Sequence, residues 1–178
     1  MKKNYFKATE LVTLGIFAAS SKVITILIAL LGGGPNPITI IIKNLIMTTL
    51  LVVLMYKVRK CFALSLFVLI QSIVSFFLLQ GGFTSIPILL LAALLSESLV
   101  MLLGGFNKFF APILAIAIYD ILQRTGSLFL SYLFMREMPE LLFFVGTIIV
   151  TGYIGAIIGL YTGYKKALEL KHASIIHE

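Results

Sequence analysis

Six apolar runs, each close to the roughly 20 residues needed to cross a bilayer as a helix, follow one another with little between them. Clusters of glycine, proline and charge separate the runs: GGGPNP at 32–37, YKVRK at 56–60, QGGFTSIP at 80–87, GGFNK at 104–108 and MREMPE at 135–140. These breaks predict helices near 8–31, 38–57, 61–79, 86–103, 109–134 and 141–164. The chain has 178 residues, of which 60% are hydrophobic and only 12% charged, with a mean hydropathy of +1.11. A soluble domain carries about a quarter charged residues, and a chain of this size lacks the interior volume to hide so much apolar surface. The expected fold is therefore all-α: one polytopic membrane domain over residues 1–178 with six transmembrane helices. Strands of a membrane barrel would alternate polar and apolar residues, and these runs do not.

Charge predicts the orientation. Lys2, Lys3 and Lys7 precede the first run; Lys57, Arg59 and Lys60 follow the second; Lys108 follows the fourth; Lys165, Lys166 and Lys171 follow the sixth. In a six-span chain all of these fall on one side, and the opposite connections carry only Arg136. The positive-inside rule then places both termini in the cytoplasm, with the chain expected in a cell membrane. The net charge of +7 is mostly this topology signal. The basic residues are split into short juxtamembrane clusters, so no nucleic-acid partner is expected. The start, Met1 to Lys7 followed by an apolar run, imitates a secretory signal; FAAS is a poor cleavage site, and an uncleaved first helix is expected.

Several chemistries lack their residues. Cys61 is the single cysteine, which leaves no internal disulfide or cysteine metal cluster. His172 and His177 both lie in the polar tail, so no metal site is expected, and no cofactor either. The sequence contains no phosphate-binding loop of the G-x-x-x-x-G-K-[ST] kind, no G-x-S-x-G and no H-E-x-x-H. An enzyme would have to rest on Glu97 or Asp120 alone, and none is expected.

Five ionisable residues fall inside the predicted spans: Lys22, Lys43, Glu97, Asp120 and Arg124. Each costs about 2.5–3.5 kcal/mol at mid-membrane on insertion scales, so each is expected to face the bundle interior. Asp120 and Arg124 are four residues apart, on one helix face, and can neutralise one another. Glu97 can pair with Lys22 across the bundle. Lys43 has no obvious acidic partner; it either snorkels to the interface or serves a ligand. Positive charge thus gathers toward the outer half. An outward-facing cavity lined by Lys43 and Arg124, with Lys22 as a further candidate, would suit a small molecule bearing a carboxylate or phosphate. Asn36, Gln80, Thr84 and Tyr132 fall in the same half and complete the candidate substrate-binding set, with Gln71 and Gln123 deeper. Phe76, Phe77, Phe83, Phe129 and Phe134 are candidate apolar neighbours.

Two spans carry faces of small residues. In TGYIGAIIGLYTG, Thr151, Gly155, Gly159 and Gly163 recur every four residues, a ridge for close helix approach within the bundle or between copies. In the first span, within TLGIFAASSKVI, Gly15 and Ala19 are four apart, with Ala18, Ser20 and Ser21 beside them. That face suits packing inside the bundle or docking of another protein.

Six spans in under 180 residues, both ends inside, a first helix of the TLGIFAASSKVI kind and no nucleotide-hydrolysing site resemble the substrate-binding S component of an energy-coupling factor (ECF) transporter. Members of that family carry an alanine-x-x-x-alanine face near the inner end of helix one, matched here by Gly15 and Ala19, with glycine in place of the first alanine. The resemblance implies capture of a micronutrient (a vitamin, a vitamin precursor or a tetrapyrrole) from outside. It also implies docking, through Gly15 and Ala19, on a transmembrane T subunit with two cytoplasmic ATPases. A self-sufficient small permease or channel is the alternative, with the helix-six ridge serving self-association; a membrane chaperone is a further rival.

Overall fold

The computed structural model describes residues 5–32, 36–78, 85–106 and 108–172. They form six helices: α1 (Ala8–Leu31), α2 (Pro37–Lys57), α3 (Ala63–Phe77), α4 (Ile86–Leu102), α5 (Ala111–Met135) and α6 (Pro139–His172). No strand occurs among the described residues. Helix starts follow proline chemistry. Of the chain's five prolines, four open helices α2, α4, α5 and α6, where a missing N–H costs nothing and the fixed φ favours the first turn. α2 is also capped by Asn36, whose side chain accepts from the Thr39 backbone N–H at 2.8 Å.

Four helices, α1, α2, α5 and α6, are long and apolar enough to cross a membrane. α3 and α4 are apolar but have only 15 and 17 residues, about 22 and 26 Å of axial rise. The third run is thus shorter than the 61–79 expected, because Phe62 takes a left-handed conformation (φ 65°) and delays the helix to Ala63. α6 overshoots the expected 164 and continues to His172, giving 34 residues and about 51 Å.

The helices close into a ring. α1 packs on α2 and α3, α3 on α4, α4 on α5, α5 on α6, and α6 on α2; α2 also reaches α5 directly. α1 to α5 therefore surround the centre, and α6 buttresses α2 and α5 from behind. The α2–α6 seam is made by glycines. A Cβ on Gly159 would stand 2.7 Å from the Leu45 carbonyl oxygen, and one on Gly163 2.7 Å from Val52 Cβ. Gly155 lies against the Ile41 backbone just as tightly. The ridge read from the sequence is used inside the bundle, on its Gly152, Gly155, Gly159 and Gly163 edge. Thr49 Oγ1 and Thr162 Oγ1 add a hydrogen bond of 2.7 Å across the same seam.

The two ends of the bundle differ. The start of α1, the end of α6 and the ends of α2, α3, α4 and α5 next to residues 58–62 and 103–110 lie together, here called the termini end; the opposite helix ends form the far end. The buried apolar core, including Leu14, Leu54, Met55, Leu64, Phe67, Val100, Ala115 and Ile116, fills the termini half. Large apolar side chains such as Leu31 (87% exposed), Phe77 (78%), Leu102 (83%) and Phe143 (80%) face outward all round. Such a coat fits acyl chains as solvent and is far larger than the apolar patches soluble monomers expose.

The termini end is also where charge is tied down. Lys60 Nζ donates to Glu10 Oε2 and to the Tyr5 carbonyl, both at 2.7 Å, and lies over the Tyr5 and Phe6 rings. Glu97, 1% exposed, accepts from the Leu64 backbone N–H at 2.8 Å and from the Ser65 hydroxyl. It supplies the carboxylate cap that Phe62 cannot give α3. The expected pairing of Glu97 with Lys22 does not form. Glu97 is five residues from the termini end of α4, whereas Lys22 is fourteen residues up α1, leaving them about 13 Å apart along the bundle axis.

Candidate functional site

The centre of the far half is hollow. A cavity of about 310 Å³ lies between α1 and α5 and reaches the far ends of α3 and α4 at Ser75, Ser85 and Ile86. α1 contributes Lys22 and Thr25, α2 Lys43, Asn44, Met47, Thr48 and Leu51, and α3 Gln71, Ser72 and Ser75. α4 adds Leu89, and α5 supplies Ile116, Tyr119, Asp120 and Gln123, which close the floor and one wall. α6 contributes nothing, as its position behind α2 and α5 requires.

Most polar groups in this lining are already engaged. Thr25 donates to the Ser21 carbonyl, Ser72 to the Val68 carbonyl and Ser75 to the Gln71 carbonyl, each at 2.8 Å. Gln71 Nε2 reaches Ser21 Oγ at 3.3 Å. Asp120 accepts two bonds from Arg124, 2.7 Å from Nε and 2.9 Å from Nη2. Lys22 and Lys43 are different. Among the described residues neither ammonium has an ion-pair or hydrogen-bond partner. They border one cavity from two helices that pack together, and they repel each other. Lys43 is exposed and borders the hollow.

Arg124 has another place. It stands behind the cavity wall, where Nη2 also donates to Asn44 Oδ1 at 2.9 Å and to the Gly152 carbonyl at 3.2 Å. Its Nη1 points to the Ile149 carbonyl at 3.4 Å, and the guanidinium lies 5.8 Å from the centre of the Tyr153 ring. One arginine thus joins α5, α2 and α6, and its side chain is only 13% exposed. It neutralises Asp120 and orients Asn44, both of which line the cavity, but it does not line the cavity itself. On its other side it borders a separate apolar groove of about 400 Å³ between α5 and α6.

The remaining sequence candidates scatter. Asn36 caps α2 and donates to the Gly32 carbonyl at 2.8 Å, outside the cavity. Tyr132 is 53% exposed on α5, nine residues, or about 13 Å, beyond Gln123. Gln80 and Thr84 lie outside the described residues, as does Phe83. Phe76, Phe77, Phe129 and Phe134 do not line the cavity; with exposures from 59 to 78% they belong to the outward-facing apolar coat. Sequence reasoning passed over Asn44, Ser72 and Ser75. Asn44 carried a signal, a polar amide next to Lys43 inside an apolar run; the serines did not, because serine is common in membrane helices for packing alone.

Gly15 and Ala19 are on the outward side of α1. A Cβ on Gly15 would meet nothing within 4 Å, and Ala19 is exposed. This face is not consumed by packing inside the bundle, unlike Ala18 and Ser21 next to it, which are buried.

Among the described residues no group of three or more histidine, cysteine or acidic side chains is placed to hold a metal ion. No protein family, curated protein or solved structure matches this chain.

Proposed function

We propose that this chain is a substrate-binding S component of an ECF-type importer, with six helices in the bacterial plasma membrane and both termini in the cytoplasm. In this reading the termini end is cytoplasmic and the far end faces the exterior. α3 and α4 complete their crossings with the apolar residues that flank them, Phe62 and Leu78 for α3, Leu103 for α4. The observation that carries the proposal is the division of the bundle: a polar cavity with two unpartnered lysines in the outer half, above a close-packed inner half. Such a molecule captures a solute from outside and has no route of its own to release it inward. A partner must do that work. The unoccupied Gly15–Ala19 face, in the inner half of α1, supports docking of a T subunit that carries two ATPases. The α6 ridge is spent on α2, which removes the surface that self-association of an independent permease would have used.

Reconstitution tests the proposal. The chain alone in proteoliposomes is expected to bind solute without turnover, and uptake is expected only when a T subunit and two ATPases are present. Gly15→Leu with Ala19→Leu is expected to abolish uptake while leaving binding intact. Sustained uptake by the chain alone would overturn the assignment.

A further inference from the structure

We propose that the cavity binds a compact dianion, a phosphate monoester or a dicarboxylate, held between Lys22 of α1 and Lys43 of α2. The inference rests on reading the cavity as a capture site and goes further by fixing the ligand's charge and size.

Charge comes first. The ionisable groups bordering the cavity are Lys22, Lys43 and Asp120, with Tyr119 as a neutral phenol. Asp120 is neutralised by Arg124 behind the wall, which leaves the two lysines as net charge. No carboxylate from α3 or α4 offsets them, because Glu97 is committed to the start of α3. A monoanion would leave one ammonium uncompensated in a low-dielectric bundle; a dianion cancels both. The repulsion between the lysines is relieved by the same event. The stabilisation therefore draws on two charges carried by one ligand.

Size and shape follow. About 310 Å³ lies at the small end of small-molecule sites, so the hollow suits a compact solute and not a tetrapyrrole. The lysines act as point charges without the planar fork of a guanidinium, and accept either a tetrahedral or a planar acid. The Gln123 amide, which has no hydrogen-bond partner among the described residues, is left to orient the uncharged part of the ligand.

The full chain in lipid nanodiscs gives the test, with thermal unfolding followed at constant ionic strength during titration with methyl phosphate, succinate and butyrate. Methyl phosphate is used above its second ionisation, where it is a dianion. At least one dianion is expected to raise the melting temperature saturably, at concentrations at least about tenfold below those butyrate requires. Lys22→Met and Lys43→Met are each expected to weaken that dianion at least about tenfold and to bring it level with butyrate. Which dianion binds tells phosphate from dicarboxylate. Stabilisation by butyrate equal to both dianions, no stabilisation by either dianion, or unchanged dianion affinity in both lysine variants overturns the proposal. Because no T subunit or ATPase is present, such a failure leaves the importer assignment standing; failure of partner-dependent uptake with dianion binding intact would remove that assignment and leave this one.

Discussion

Gly159→Ala adds one methyl group to the α2–α6 seam, and the structure sets its consequence. The new Cβ would stand 2.7 Å from the Leu45 carbonyl oxygen, 2.8 Å from Thr48 Cβ and 3.2 Å from Leu45 Cα. Two of these atoms are backbone and cannot rotate aside. Reaching ordinary contact near 3.4 Å requires the helices to separate by roughly 0.7 Å, and a gap of that order forfeits a quarter to a half of each dispersion contact along the seam. Overpacking of this kind costs about 1–3 kcal/mol. It also stretches the bond from Thr49 Oγ1 to the Gly159 carbonyl, 3.2 Å in the structure. Alanine's better helix propensity returns up to about 1 kcal/mol, so the net loss is expected to be about 1 kcal/mol. The control is Gly146→Ala on the same helix, where a Cβ meets nothing within 4 Å and only the propensity gain remains. Reversible unfolding in mixed micelles, titrated with a denaturing detergent, compares the two. A Gly159→Ala protein as stable as Gly146→Ala would refute the reasoning, since it would mean the seam is not close-packed at Leu45.

Two further expectations concern buried charge. Arg124→Met strands the Asp120 carboxylate beside the cavity and is expected to destabilise by about 3–5 kcal/mol, whereas Arg124→Met with Asp120→Asn recovers most of the loss; equal stability of the two variants would show that Asp120 does not depend on its partner. Glu97→Gln keeps an acceptor for the Leu64 N–H but gives up the negative charge at the start of α3, with an expected loss of about 1–2 kcal/mol and faster amide exchange in the first turn of α3, read by hydrogen-exchange mass spectrometry; unchanged exchange there would exclude the capping role.

Much of the architecture was legible because its signals are local. Proline and glycine punctuate the chain where the helices break, so the predicted limits of α1 and α2 fall within one residue of those observed. The i,i+4 geometry of one helix was enough to pair Asp120 with Arg124. The glycine period of α6 announced a close neighbour, though not that α2 would be it. What failed to read through was relative depth and rotation between helices. Lys22 with Glu97 satisfied charge complementarity, yet counting residues from the helix ends already separates them by about 13 Å, an arithmetic that charge pattern alone ignores. Asn36 and Tyr132 lie beyond the cavity, Asn36 at the cap of α2 and Tyr132 about 13 Å past Gln123 along α5. Composition cannot tell a side chain lining a hollow from one facing lipid when both faces are apolar. Arg124 shows the same limit: the sequence supplied a cation at the right height, and only the packing of α6 behind α5 shows that it serves the wall from outside.

The unequal halves of the bundle also matter electrically. In an energised membrane, voltage drops across whatever insulates, and in the orientation proposed above the insulator is the close-packed half built on Leu54, Met55, Leu64 and Ile116. A solute resting beside Lys22 and Lys43 sits above that layer and feels little of the field. Carrying two negative charges across it against an inside-negative potential of about 100 mV takes roughly 4–5 kcal/mol. On the importer reading proposed above, a bundle built this way makes capture nearly independent of membrane potential and concentrates the electrical work in the delivery step.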